Sequence, residues 1–382
     1  MKKLISALLC IAALFSLSTG TAAADNIMPF DVEAESAVLM DVETGRVLYS
    51  KNAAAPLPPA SVTKVMTILL VMEEIDGGRL SYTDTVTVSA YAASMGGSQV
   101  FLREGEQMSV QDMLKSVVIA SANDGAVALA EHIGGSEEAF VKRMNERAAE
   151  LCMKNTCFEN VTGLDDDTVD HKTSAEDIAI MSRQLIKYHP DVLKFSSTWM
   201  DSIRNGEFTL TNTNRLVRFY KGTTGLKTGS TAKAGFCISA SAERNGLHLI
   251  AVIMGSETRD KRNEAAKKLL DHGFASYAVC SYEGGVGERV RVVGGEVGEI
   301  STRINSFRGL CAKGEAENYE IICDYPEKII APIKKGDVIG FARIVSDGGE
   351  IGRVDIVADE EAAALSFGSI LYRLFCAFVL KG

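Results

Sequence analysis

Ser61 and Lys64 lie three residues apart, a spacing that on a helix brings two side chains to one face. Lys64 leads into Val65, Met66, Ile68, Leu69, Leu70, Val71 and Met72, a nearly all-round apolar run that reads as a helix buried in a domain core. In such surroundings the ammonium form is disfavoured, so the amine can take a proton from a nearby hydroxyl. An inert serine becomes a nucleophile in that way. The pair alone proves little. The chain carries a second one, Ser230 and Lys233, and an N-cap serine followed by a snorkelling lysine is the ordinary reading of the spacing.

Two further stretches add weight. Ser121-Ala122-Asn123-Asp124 interrupts two helical apolar patterns, although serine, asparagine and aspartate there also serve as caps and turn formers. Gly225-Leu226-Lys227-Thr228-Gly229-Ser230 precedes a β-rich run, and its glycines let backbone approach a ligand closely. Ser61-x-x-Lys64, Ser121-x-Asn123 and Lys227-Thr228-Gly229, in that order, form the motif set of penicillin-binding proteins and class A β-lactamases. Each motif is weak alone, since Ser50-Lys51-Asn52 is a second Ser-x-Asn. Ser230 and Lys233 lie on an extended stretch, where residues three apart point to opposite faces.

With these motifs the chain resembles the secreted serine D-alanyl-D-alanine carboxypeptidases, the low-molecular-mass penicillin-binding proteins. The resemblance extends to Gly97-Ser98 with Leu102 and Gly105, Gly163-Leu164-Asp165, Thr211-Asn212-Thr213-Asn214, and Arg262-Asn263-Glu264-Ala265. It implies an α+β fold, a transpeptidase-like domain of helices packed on an antiparallel sheet. It also implies roles: Ser61 as nucleophile, Lys64 as base, and Ser121 as proton relay to the leaving amine. Lys227 would supply positive charge, Asn123 would hold the substrate backbone, and Thr228 with Arg262 would receive the terminal carboxylate. The backbone N–H groups of Ser61 and Ser230, beside Gly229, would meet the oxyanion. The implied substrates are peptidoglycan stem peptides ending in D-Ala-D-Ala, with β-lactams as covalent inhibitors and no cofactor. After Gly229 comes Ser230, where some relatives carry histidine. A class A β-lactamase would need a glutamate in a Glu-x-x-Leu-Asn context, and the chain has no Leu-Asn dipeptide. A transpeptidase or endopeptidase differs only in the second nucleophile, and a non-catalytic β-lactam or peptidoglycan-binding module would retain Ser61.

The elements that must position these residues are legible in outline. Ala34–Asp41 and Arg46–Ser50 read as a hairpin around Glu43-Thr44-Gly45. The helix from Ser61 stops at Gly77-Gly78, and further helices are expected over 109–120, 126–133 and 138–151. Thr173-Ser174-Ala175-Glu176 has the spacing of a capping box. Phe236–Ala242 and Leu247–Met254 are strands joined at Asn245-Gly246, and a helix over 264–271 ends at His272-Gly273. Strands at both ends with helices between point to one antiparallel sheet covered by helices.

At 382 residues the chain predicts more than one domain, and 46% apolar composition excludes general disorder. A formal charge of −10 argues against nucleic acid as a partner. Lys2-Lys3, the apolar run Leu4–Leu17 and Ala22-Ala23-Ala24 read as a signal peptide over 1–24, so the mature chain is expected outside the cytoplasmic membrane. The catalytic region is expected over 25–280 and a small β-rich domain over 281–360, a spacer or partner-binding module. No disulfide is assigned to the scattered cysteines, and the five histidines show no metal-ligand spacing. Residues 361–382 read as an amphipathic helix, with Ser366, Ser369 and Arg373 on a narrow stripe with Ala362 and Ala377 and apolar residues elsewhere. It is expected to lie on the membrane surface, or just to span it.

Overall fold

The computed structural model describes residues 31–347 and 349–379, so the leader read over 1–24 lies outside the described residues. Strands β1 (Ser36–Asp41) and β2 (Val47–Lys51) pair antiparallel. Their turn is held by the Asp41 carboxylate, which accepts from the Thr44 N–H at 2.8 Å. Helix α1 (Lys64–Asp76) is entered through a 3-10 turn, Ala60–Thr63, that contains Ser61. Every residue from Val62 to Met72 is buried, as its apolar run requires.

Helices α2 (Val110–Ile119) and α3 (Asn123–Gly134) meet at a corner where Ser121 takes φ +65°. Helix α4 (Glu137–Glu150) follows, and then α5 (Ala175–Tyr188). The cap of α5 differs by one residue from the expected box: Ser174, not Thr173, accepts from the Asp177 N–H at 3.1 Å. Thr173 is unavailable because its backbone pairs with Leu57 in both directions and its hydroxyl meets that of Thr156.

Strands β3 (Thr223–Thr231), β4 (Gly235–Arg244) and β5 (Leu247–Ser256) complete an antiparallel sheet of order β2-β1-β5-β4-β3. Its centre is the pairing of β1 with β5, residues more than two hundred positions apart, so the sheet is assembled from both ends of the catalytic region. Asn245 and Gly246 both adopt positive φ, 52° and 78°, the turn that right-twisted hairpins favour. The last helix of this region, α6 (Arg259–Ser276), is longer at both ends than the apolar pattern over 264–271 indicates. Thr258 caps it through the Lys261 N–H, and Gly273 does not stop it. A Cβ at Gly273 would fall 2.4 Å from Leu249 Cδ1, so this glycine serves close packing of helix on sheet.

Strand β6 (Tyr277–Tyr282) runs directly out of α6 and pairs antiparallel with β7 (Phe307–Ala312). Beyond them lie a five-stranded and a three-stranded sheet of short strands, with small cores around Ile300 and Ile344. Cys237 is a fully buried residue of β4. Helix α7 (Phe367–Val379) closes the described chain. Its polar stripe faces the protein: Arg373 donates to the Glu296 carbonyl at 2.6 Å and Ser369 approaches the Glu296 carboxylate. Phe367, Leu371, Leu374 and Phe375 face outward and are exposed. Among the described residues no helix is long and apolar enough to cross a membrane.

Candidate active site

The nucleophile turn is gripped from two sides by glycines. A Cβ at Gly163, which sits at φ +82°, would land 1.8 Å from the Ala60 carbonyl oxygen. A Cβ at Gly229 would come within 2.9 Å of Ser61 N, Pro59 O and Val62 N. Only glycine lets the 163 loop and the edge strand β3 approach this closely. His171 adds a pin, with Nε2 2.8 Å from Thr63 Oγ1 and Nδ1 accepting from the Glu159 N–H. Burial pulls its pKa down to about 4, so the ring is neutral and its Nε2–H donates to Thr63.

Lys64 is fully buried, and its Nζ has three neighbours: Ser61 Oγ at 2.9 Å, Asn123 Oδ1 at 2.6 Å and the Thr162 carbonyl at 2.8 Å. Burial first, and then the charge of Lys227, hold its pKa well below the ordinary lysine value, while Asp124 pulls in the opposite direction. A neutral amine has two hydrogens and one lone pair. The amide oxygen and the carbonyl can only accept, so they take the two hydrogens and the lone pair is left facing the serine hydroxyl. That arrangement is suited to take a proton from the Ser61 hydroxyl.

Across the cleft Lys227 Nζ donates to Ser121 Oγ at 2.8 Å and to the Thr228 carbonyl at 2.9 Å. Its pKa is lowered to about 7, by burial first and then by Arg262. Thr228 Oγ1 meets Thr213 Oγ1 at 2.8 Å, and Asn214 Nδ2 donates to the Gly225 carbonyl, so the 211–214 segment braces β3. Ser61, Ser121, Thr228, Gly229, Ser230 and Arg262 all line one cleft of about 600 Å³. The second Ser-x-x-Lys pair is split: Ser230 faces the cleft while Lys233 reaches the Asp165 carbonyl.

Two expected residues sit differently from a simple substrate contact. Asn123 is engaged within the protein, its Oδ1 on Lys64 and its Nδ2 donating to the Gly96 carbonyl at 2.7 Å. Arg262 lines the cleft but is 3% exposed, and its guanidinium donates to Asn263 Oδ1 and the Cys237 carbonyl. Sequence reasoning gave no role to the Thr162 carbonyl or to Asp124. The Asp124 carboxylate accepts from the Val100 and Leu102 N–H groups and fixes the loop over the cleft. An aspartate directly after Ser-x-Asn, at the start of a buried helix, was the available signal. Trp199, Phe219, Arg215 and Arg259, which form the far wall of the cleft, carried none.

A serine activated by a buried lysine, beside a strand edge that can dock a peptide, is the equipment of a serine acyl-transfer hydrolase. The comparisons specify which. Residues 20–258 match the D-alanyl-D-alanine carboxypeptidase family and residues 291–364 match the C-terminal domain of penicillin-binding protein 5. Over 348 residues the chain is 42% identical to the D-alanyl-D-alanine carboxypeptidase DacF of Bacillus subtilis, covering 89% of each. It is 32% identical to DacC of Escherichia coli over 90% of this chain and 87% of that one. The structure of penicillin-binding protein 5 from Haemophilus influenzae superposes with a TM-score of 0.77 at 31% identity, over 88% of this chain and 99% of that one. The chain belongs to the D-alanyl-D-alanine carboxypeptidase family of serine peptidases.

Proposed function

We propose that this carboxypeptidase works through a Ser61 acyl-enzyme and removes the terminal D-alanine from peptidoglycan stem peptides. The observation that carries the assignment is the hydrogen-bond set of Lys64, two fixed acceptors plus the Ser61 hydroxyl. Ser61 attacks the carbonyl between the two D-alanines while Lys64 accepts its proton. Ser121, held by Lys227, passes a proton to the leaving amine. The oxyanion meets the backbone N–H groups of Ser61 and Ser230, where losing one donor typically costs about 3 kcal/mol. Thr228 and Arg262 receive the terminal carboxylate, and Asn123 orients Lys64 and the substrate backbone. Water then hydrolyses the acyl-enzyme.

The strained ring of a β-lactam presents the same kind of carbonyl, and a penicillin-binding protein D2 from Listeria monocytogenes, 32% identical with a TM-score of 0.60, was solved in its ampicillin-bound form. Penicillin is accordingly expected to label Ser61 stoichiometrically, and a pentapeptide ending in D-Ala-D-Ala to yield D-alanine over many turnovers. Labelling without D-alanine release would leave only a β-lactam-binding module. The chain is further read as acting on the wall side of the cytoplasmic membrane, with α7 lying on the membrane surface by its outward apolar face. Removing residues 362–382 is expected to abolish sedimentation with anionic lipid vesicles while leaving turnover of a small soluble peptide within about twofold, since α7 carries none of the catalytic groups. Equal sedimentation of the full and shortened chains would remove the anchoring role.

A further inference from the structure

The far wall of the cleft is electrostatically unbalanced. Arg215 and Arg259 both line it together with Arg262, and no aspartate or glutamate does. Both outer guanidinium groups are exposed and, among the described residues, have neither a hydrogen-bond nor an ion-pair partner. They are close enough to Arg262 for their charges to push its pKa down, Arg259 next after burial and Arg215 more weakly, while Cys237 and Asp260 pull the other way. Arg259 is also the first residue of α6, the end of a helix where a cation is disfavoured. Three like charges gathered this way oppose folding unless an anion answers them.

One terminal carboxylate does not use them all. Thr228, beside Thr213, and Arg262 already form a station for it next to Ser61. Arg215 and Arg259 line the same cleft, as does the aromatic pair Trp199 and Phe219, whose rings meet edge to face. We propose that Arg215 and Arg259 form a second anion subsite for the side chain of the leaving residue. The enzyme then accepts stem peptides whose C-terminal D-residue carries a carboxylate, such as D-Ala-D-Glu. This rests on the carboxypeptidase reading above. The bond broken is the same, the D-alanyl carbonyl passing to Ser61 and the acidic D-amino acid leaving as its free amine. The side-chain carboxylate reaches the arginine fork, which suits it by planar, paired N–H donors.

The test compares four peptides identical but for the last residue: D-Ala, D-Glu, D-Gln and D-Lys. D-Gln is the neutral isostere of D-Glu, so size cancels and only charge is read. With the unaltered chain, kcat/KM for D-Glu is expected to exceed that for D-Gln by about tenfold or more, the worth of one charge-assisted contact. The double variant Arg215→Gln/Arg259→Gln should bring the two together, and Arg215→Glu/Arg259→Glu should favour a D-Lys terminus instead. Equal rates on D-Glu and D-Gln with the unaltered chain would overturn the subsite, whatever the variants do. Inorganic phosphate separates a free anion from a substrate-borne one: inhibition of D-Ala release that is competitive and vanishes in the double variant, without a D-Glu preference, would show a free-anion site and overturn the proposal as stated. Failure of D-Ala release itself would instead count against the carboxypeptidase reading, so the two failures are distinguishable.

Discussion

Ser61→Ala is expected to abolish both penicillin labelling and D-alanine release, and Lys64→Met to lower both by about a thousandfold with the serine still in place. The two variants separate the nucleophile from its activation. Alanine removes the atom to which the acyl group attaches. Methionine keeps the volume and the apolar packing of a fully buried side chain but has no lone pair poised for the serine proton. The serine is then left as an ordinary alcohol. General-base catalysis typically contributes about 10² to 10⁴, and the three-way coordination of Lys64 Nζ places this case toward the upper half of that range. A stopped-flow acylation rate with a chromogenic cephalosporin, together with a thermal melt showing that Lys64→Met is folded, checks the prediction. A loss of less than tenfold in a folded Lys64→Met would mean that another group takes the proton. Lys227, across the cleft with its pKa lowered to about 7, would be the group to examine next.

Much of this was legible in the chain because the chemistry and the fold use the same local signals. The apolar run after Lys64 announced a buried helix and, by the same fact, a desolvated amine. Asn245-Gly246 and the β-rich runs around it announced the hairpin of β4 and β5, against which the edge strand β3 pairs. The misreadings arose where tertiary partners override local pattern. Thr173 has the spacing of a cap but is taken by Leu57. Gly273 looks like a stop but is a packing contact with Leu249. Asn123 has a structural duty that spacing does not show, its side chain bonding Lys64 and the Gly96 carbonyl. Such uses depend on what lies across space, which spacing along the chain does not encode. The far wall of the cleft was illegible for the same reason: Trp199, Arg215 and Arg259 come from three separate segments with no shared motif.

Lys227→Gln is expected to lower acylation by about a hundredfold and to move the acid limb of its pH profile toward higher pH. The first effect follows from Ser121, which loses the Nζ donor 2.8 Å away that holds and polarises its hydroxyl. The second follows from the charge that Lys227 places near Lys64. A positive neighbour disfavours the ammonium form of Lys64, so Lys227 helps keep Lys64 neutral, acting after burial as the second cause of its lowered pKa. Glutamine removes that charge, Lys64 binds its proton more readily, and a larger share of the enzyme is inactive at a given acidic pH. The shift belongs to the range where Lys227 is charged, at and below about pH 7. Because the two lysines titrate as a coupled pair, the limb reports the pair and not one residue. Stability carries the matching sign. In the unfolded chain Lys227 keeps its proton up to its ordinary value of 10.5, whereas in the fold it loses it near 7. Between those values the unfolded state binds more protons, so stability rises with pH, and Lys227→Gln should flatten that rise. Acylation rates and thermal midpoints from pH 5 to 10, each for both chains, test the two signs; an acid limb that stays in place would mean that burial alone sets the proton on Lys64.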